Sequence, residues 1–161
     1  MTEMHHISVR INGVRYDGQV EARMLLSDFL RETLRMTGTH VGCEHGVCGA
    51  CTIIADGHSI RSCLMFAVQA DGLSLQTVEG LGKVSDLHPL QESFREHHAL
   101  QCGFCTPGML MTGVDFLDKH PNATDEEIRE GLSGNICRCT GYEHIVAAVR
   151  SAAARKRETI R

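Results

Sequence analysis

Tryptophan is absent from this chain of 161 residues, and aromatic residues make up only 4% of it. The chain therefore lacks the largest side chain that a small domain can use to fill a core. No apolar run approaches the ~20 residues that a membrane-spanning helix needs. The N-terminus has neither a basic segment ahead of an apolar stretch nor a twin-arginine pair, so we expect no export and a cytoplasmic location.

Positive charge is also scarce. Lysine and arginine number 16 against 20 aspartates and glutamates, which gives a formal net charge of -4. The only clustered basic residues are those at 155–157, near the end of the chain. Proteins that bind nucleic acid usually carry a basic patch or stripe, so nucleic acid is excluded as a partner.

Cysteine is what the chain has in excess, with eight residues. In a chain that is not exported, cysteines bind metal more often than they form structural disulfides. They fall into two sets of four, each sufficient for one metal or iron-sulfur centre. The first set is Cys43, Cys48, Cys51 and Cys63, and the second set is Cys102, Cys105, Cys137 and Cys139.

The spacing of the first set is that of a plant-type ferredoxin. Four residues and then two residues separate the first three cysteines, and the fourth lies further along the chain, which is the pattern for a 2Fe-2S cluster. Two short strands flank Asp56-Gly57, so a hairpin would return Cys63 to the loop. Gly46 and its neighbouring glycines let backbone N-H groups approach the cluster.

The second set lies in two loops, at residues 101–108 and 134–142. Each loop places cysteines directly before a threonine and a helix start. Pro107 suits a first helical position, and Thr106 or Cys105 can cap the helix. Thr140 with Glu143 predicts a capping box at the other loop. Helix N-termini stabilise thiolates and an anionic cluster.

Hydrophobic periodicity predicts an α+β chain with its strands first. We expect a hairpin over residues 7–20 that turns at Asn12-Gly13, a helix over Met24 to Arg35 that covers it, and a strand near Leu75. Beyond residues 79–83 the pattern predicts four helices, one of them opened by a capping box at Thr124. The predicted domains are therefore residues 1–80 and 81–161, each small enough to need its metal centre for stability.

The chain thus has three cysteine motifs: the first set, the loop 101–108 and the loop 134–142. In this order they resemble the motifs of the small iron-sulfur subunits of the molybdenum hydroxylases of the xanthine oxidase type. The resemblance covers nearly the whole chain. It implies an N-terminal β-grasp, ferredoxin-like domain and an all-α four-helix domain, each with one 2Fe-2S cluster. It also implies that the first cysteine set lies nearer FAD and the second set nearer molybdenum.

The resemblance further implies partners and a role. A large molybdopterin-binding subunit and a medium FAD-binding subunit would complete the enzyme, as a dimer of heterotrimers. Gln101 and Cys139 match positions that contact the molybdopterin cofactor, and no catalytic residue falls on this chain. Electrons would pass from the molybdenum site through both clusters to FAD. An aromatic N-heterocycle is the expected substrate, with an aldehyde, an aromatic acyl thioester or carbon monoxide as alternatives.

Three other interpretations compete with this one. Zinc also accepts four thiolates, although the first spacing is the ferredoxin one. A Rieske centre needs a second histidine motif that Cys43-Glu44-His45 does not have. A free-standing two-cluster ferredoxin would use the same eight cysteines but would have no use for Gln101. Glu44-His45 also departs from a family loop that is often richer in glycine.

Overall fold

The computed structural model describes residues 3–159, with side chains described as far as Arg155. Met1, Thr2 and the side chains of Lys156 and Arg157, which complete the basic cluster, lie outside that part. Five strands form one mixed sheet: Met4–Ile11 (β1), Val14–Glu21 (β2), Thr52–Ala55 (β3), His58–Arg61 (β4) and Ser74–Gln76 (β5). Their order is β2-β1-β5-β3-β4, with β1 and β5 parallel and the other neighbours antiparallel.

Both predicted hairpins are confirmed. Asn12 and Gly13 have φ angles of 52° and 82°, so both occupy the left-handed region that a type I' turn requires. Asp56 and Gly57 have φ angles of 45° and 81° and join β3 to β4 in the same way. The second hairpin returns the chain to the first cysteine loop.

The helix predicted over Met24 to Arg35 is shorter than expected. It runs from Leu26–Asp28 (α1) into a single π-helical turn, Phe29–Thr33. The N-H of Leu34 donates to the carbonyl of Phe29 over 3.1 Å, a span of five residues. Arg35 then takes a φ of 60°, which ends the helix.

Arg31 supplies a physical reason for this early end. Its guanidinium Nη1 donates to the carbonyl oxygens of Thr37 and Thr39, at 2.8 and 2.7 Å. These bonds hold the following chain back against the helix. The predicted apolar face is nevertheless correct, because Leu26 and Leu30 are fully buried in the core beneath the sheet.

The second half is helical, as predicted. Its helices are Pro89–Glu96 (α2), Thr106–Lys119 (α3), Asp125–Gly131 (α4) and Glu143–Thr159 (α5). The capping box of α4 is present, with Thr124 and Glu127 bonded to each other's backbone N-H groups. The buried centre of this bundle includes Leu90, Met109, Ile128 and Ile145.

The described residues form two separate hydrophobic cores. Leu75 belongs to the core of the sheet, whereas Val78 and Leu81 pack against the core of the helices. The change of core falls between Leu75 and Val78. We propose the division predicted from the sequence, into domains 1–80 and 81–161, whose boundary lies a few residues beyond that change. No helix among residues 3–159 has the length and apolar character to cross a membrane.

Candidate metal centres

The hairpin β3-β4 brings the first cysteine set together. Cys43, Cys48 and Cys51 lie in the loop before β3, and Cys63 lies in the 3-10 turn that follows β4. Ser62 fixes that turn, because its N-H and hydroxyl both donate to the carbonyl of Cys51, at 3.3 and 2.8 Å. Cys63 is thereby held beside Cys51.

The four thiols of the first set form two pairs. Cys43 and Cys48 contact each other, and the N-H of Cys48 also lies 3.4 Å from the Cys43 sulfur. The Cys63 thiol interacts with that of Cys51 in the second pair, and it also interacts electrostatically with Cys43. The two pairs are therefore adjacent.

Backbone N-H groups in the loop stabilise thiolate. The N-H groups of His45, Cys48 and Val47, with the first contributing most, lower the pKa of Cys43 to about 6. The His45 ring bonds the carbonyl of Cys43 through Nδ1. Glu44-His45, the departure from a glycine-rich loop, thus still supplies an inward-facing amide. Burial, in contrast, raises the pKa of Cys63 to about 12.

The second set also forms two pairs. The Cys105 thiol interacts with the thiol of Cys137, and the Cys102 thiol interacts with that of Cys139. The first of these pairs lies inward, and burial raises the pKa of Cys105 to about 12. The other pair is exposed to solvent. One edge of the second site therefore emerges at the surface, and Gln101 is the exposed residue directly before it.

Thr140 binds a cysteine rather than forming the predicted capping box. Its hydroxyl donates to the sulfur of Cys137 over 3.1 Å and accepts from the N-H of Tyr142 over 3.2 Å. Glu143 instead pairs with Arg129. The capping-box prediction was wrong because Tyr142, at a φ of 68°, turns the chain directly before α5.

Hydrogen bonds in this turn lower the pKa of Cys137. Burial opposes its ionisation, but hydrogen bonds from the Thr140 hydroxyl and from the backbone amides of Thr140 and Cys139 outweigh burial, so the pKa of Cys137 is lowered. At the other loop, α3 starts at Thr106, and Cys105 makes no side-chain cap. The predicted side-chain capping of α3 is therefore absent, and the Thr106 hydroxyl is buried without a partner.

The paired arrangement fits a binuclear cluster. In a 2Fe-2S cluster with four cysteines each iron takes two thiolates, whereas structural zinc takes all four around one point. Both sets present two adjacent pairs of free thiols with amide or hydroxyl donors beside them.

Arg61 and Asn135 were not identified from the sequence, yet they join the two sites. Arg61, at the end of β4, donates to the carbonyl of Gly134 over 2.7 Å. Asn135 is buried and donates to the carbonyl of Gly49 over 3.0 Å. The only signal in the sequence was that Asn135 lies in the loop 134–142, close to Cys137. Nothing in the sequence shows that its side chain bonds to Gly49.

Comparison with known proteins agrees with this site. Residues 9–75 match the family described as 2Fe-2S iron-sulfur cluster binding domain, and residues 77–150 match the 2Fe-2S binding domain family. The fold and its two thiol sets therefore define a protein with two 2Fe-2S domains.

Relatives that match nearly the whole chain identify a more specific class of protein. The chain is 58% identical over 151 residues to caffeine dehydrogenase subunit gamma of Pseudomonas sp. (strain CBB1), covering 91% of this chain and 90% of that one. It is 56% identical over 146 residues to the nicotine 6-hydroxylase small subunit of Paenarthrobacter nicotinovorans, covering 91% and 88%. The crystal structure of quinoline 2-oxidoreductase from Pseudomonas putida 86 superposes with a TM-score of 0.92 at 53% identity, covering 96% and 97%.

The chain belongs to the family of small 2Fe-2S subunits of the xanthine oxidase-type molybdenum hydroxylases. The family predicted from the motifs is confirmed, as is the α+β fold with a β-grasp domain followed by a helical domain. It is an electron-transfer, iron-sulfur subunit of an oxidoreductase complex.

Proposed function

We propose that this chain carries electrons from the molybdenum site to FAD in a three-subunit dehydrogenase that hydroxylates an aromatic N-heterocycle. The names of three relatives support the substrate class, since caffeine, nicotine and quinoline are all N-heterocycles. Hydroxylation with oxygen from water leaves an electron pair to be carried away. Each 2Fe-2S cluster, when bound, accepts and releases one electron at a time.

The proposal assigns each cysteine set to one cluster. Cys43 with Cys48, and Cys51 with Cys63, would bind the two irons nearer FAD. Cys102 with Cys139, and Cys105 with Cys137, would bind the two irons nearer molybdenum. The support is that the thiols interact with each other in these pairs.

The observation that carries the proposed contact between the second set and a partner is the exposed edge of that set. Cys102, Cys139 and the preceding Gln101 are all exposed, and the nearby large apolar side chains Leu100 and Phe104 are 41% and 48% exposed. Surface of this kind, apolar with a few polar groups, is typical of a protein interface. The large subunit would cover it, with Gln101 and Cys139 against the molybdopterin. We further propose a cytoplasmic dimer of heterotrimers.

Rapid freezing of the purified complex tests this function. The complex is mixed without oxygen with quinoline, nicotine or benzaldehyde, and the paramagnetic signals of the reduced clusters are recorded over time. We expect both signals to appear within one turnover with an N-heterocycle and far more slowly with the aldehyde. If only benzaldehyde reduced the clusters, the substrate class would be an aldehyde instead. If none of the three compounds reduced the clusters, the proposed function would have no support.

A further inference from the structure

The two cysteine loops touch through their main chains. The N-H of Ile136, directly before Cys137, donates to the carbonyl of Cys48 over 2.9 Å. One hydrogen bond therefore links a residue of the first thiol set to the neighbour of a residue of the second. Phe104, from the second site, lies beside Gly42, where an added Cβ would meet the Phe104 ring at 3.3 Å and the Cys48 sulfur at 3.1 Å.

A buried asparagine sits directly beside this contact. Asn135 is 2% exposed. Its Nδ2 donates to the carbonyl of Gly49 over 3.0 Å, and its Oδ1 accepts from the hydroxyl of Thr112 over 2.9 Å and from Arg61 Nη2 at 3.3 Å. The side chain therefore joins the first loop, helix α3 and strand β4.

Arg61 reinforces the same junction. Its Nη2 donates to the carbonyl of Gly134 over 2.7 Å, and its Nη1 donates to the hydroxyl of Thr52 over 2.6 Å. The Thr52 hydroxyl in turn donates to the carbonyl of Gly49 over 2.6 Å. One carbonyl from each cysteine loop is thus held by a single polar network.

The loops meet so closely that the network leaves little room for adjustment. A Cβ on Gly49, whose φ is 71°, would lie 2.6 Å from the carbonyl oxygen of Gly134. A buried polar network whose members are all bonded rigidifies its surroundings, and a partly satisfied one is costly. Removing one member should therefore shift the loops rather than be absorbed locally.

We propose that Asn135 is a positioning residue for electron transfer between the two iron-sulfur centres. It fixes the separation and relative orientation of the two cysteine loops, and with them the Ile136 to Cys48 contact across the gap. In the transfer one electron leaves one centre and reduces the other, and no bond is made or broken. This inference rests on the proposed function, since it requires both centres.

The test is Asn135→Ala in the purified complex, compared with Asn122→Ala as a matched control at an exposed asparagine in the loop before α4. Two quantities are measured: the spin-spin splitting between the reduced clusters, and the rate at which an electron equilibrates between them after a one-electron pulse. We expect Asn135→Ala to keep both clusters and their individual signals, to change the splitting and to slow equilibration several-fold. Asn122→Ala should change neither quantity.

Thr112→Val provides a second, milder variant in case Asn135→Ala does not assemble. It removes one hydrogen bond to Asn135 and leaves the bond from Asn135 to the carbonyl of Gly49 in place, so a smaller change in splitting and rate is expected. A cluster-loaded variant of either kind with unchanged splitting and unchanged rate would overturn the positioning role. Wild-type protein without clusters would instead overturn the proposed function, so the two failures are distinguishable.

Discussion

Asp115 accepts two hydrogen bonds from Ser59 across the boundary between helices and sheet. Its Oδ2 lies 2.7 Å from the Ser59 hydroxyl and 3.2 Å from the Ser59 backbone nitrogen. Ser59 belongs to β4, the strand at the edge of the sheet. The carboxylate therefore accepts a hydrogen bond from a backbone N-H on the edge of the sheet. Lys119 Nζ, one helical turn on, lies 2.6 Å from Oδ1.

Asp115→Asn should destabilise the protein by about 1–3 kcal/mol, because it removes a charged acceptor at a buried site and leaves Lys119 without its partner. Only 9% of the Asp115 side chain is exposed, so solvent compensates little. Chemical unfolding monitored by circular dichroism measures the loss. Glu130→Gln, at an exposed position of α4, is the control and should change the free energy of unfolding very little.

The pH dependence of unfolding checks the same contact. Burial raises the pKa of Asp115, but hydrogen bonds from Lys119 and Ser59 outweigh it, so the pKa is lowered on folding. The stabilisation is therefore fully present above the unfolded pKa of about 3.9 and is lost as pH falls through the lower folded pKa. Wild type should lose more stability than Asp115→Asn over that acid range. Parallel losses in the two proteins would show that Asp115 contributes nothing there.

Gly108→Ala should separate α3 from the first cysteine loop. A Cβ at Gly108 would lie 2.2 Å from the carbonyl oxygen of Gly49 and 3.1 Å from the Ala50 Cα, and backbone atoms cannot rotate away as a side chain can. We expect a loss of about 1–3 kcal/mol, the usual cost of overpacking. Gly18→Ala is the matched control, because nothing lies within 4 Å of its added Cβ. Equal unfolding midpoints for both variants would contradict the close contact.

Cys105→Ser should damage the helical half more than the sheet half. Each domain is small and has its own core, so each should depend on its own centre. The signal of the second cluster should disappear while that of the first remains, and Cys51→Ser should give the reverse. Loss of both signals in either variant would show that the two halves fold as one unit.

The features predicted correctly from the sequence are those set by neighbouring residues. Asn12-Gly13 determines the first hairpin through two positive φ angles, and Thr124 with Glu127 forms the box that starts α4. The cysteine spacing likewise predicted two separate centres. The hairpin and the capping box depend on interactions within a few residues of chain, whereas the four cysteines of each set span a longer stretch and were grouped by their spacing.

The features that could not be predicted depend on contacts between distant segments. The helix ends early in a π-helical turn, and Arg31 donates to the carbonyl oxygens of Thr37 and Thr39 beyond it. The helix propensities of the residues do not predict these hydrogen bonds. Thr140 and Glu143 have the spacing of a capping box, but the Thr140 hydroxyl donates its hydrogen bond to the sulfur of Cys137 instead. Asn135 reaches Gly49, 86 residues away, which only the folded chain brings near.

Gln101→Leu should leave both cluster signals intact while slowing cluster reduction by substrate or lowering molybdenum content. The amide can both donate and accept hydrogen bonds, as a pterin contact requires, and leucine can do neither. Gln19→Leu, at an exposed position of β2, is the control. An unchanged rate of cluster reduction together with full molybdenum content would show that Gln101 has no such role.

Metal and sulfide analysis of the purified chain tests the central claim most directly. Two sets of paired thiols, each holding one binuclear cluster, predict about four irons and about four acid-labile sulfides per chain, with two distinguishable paramagnetic signals on reduction. About two zinc ions per chain with no labile sulfide would contradict it, because each set would then be a structural site with four ligands on one metal.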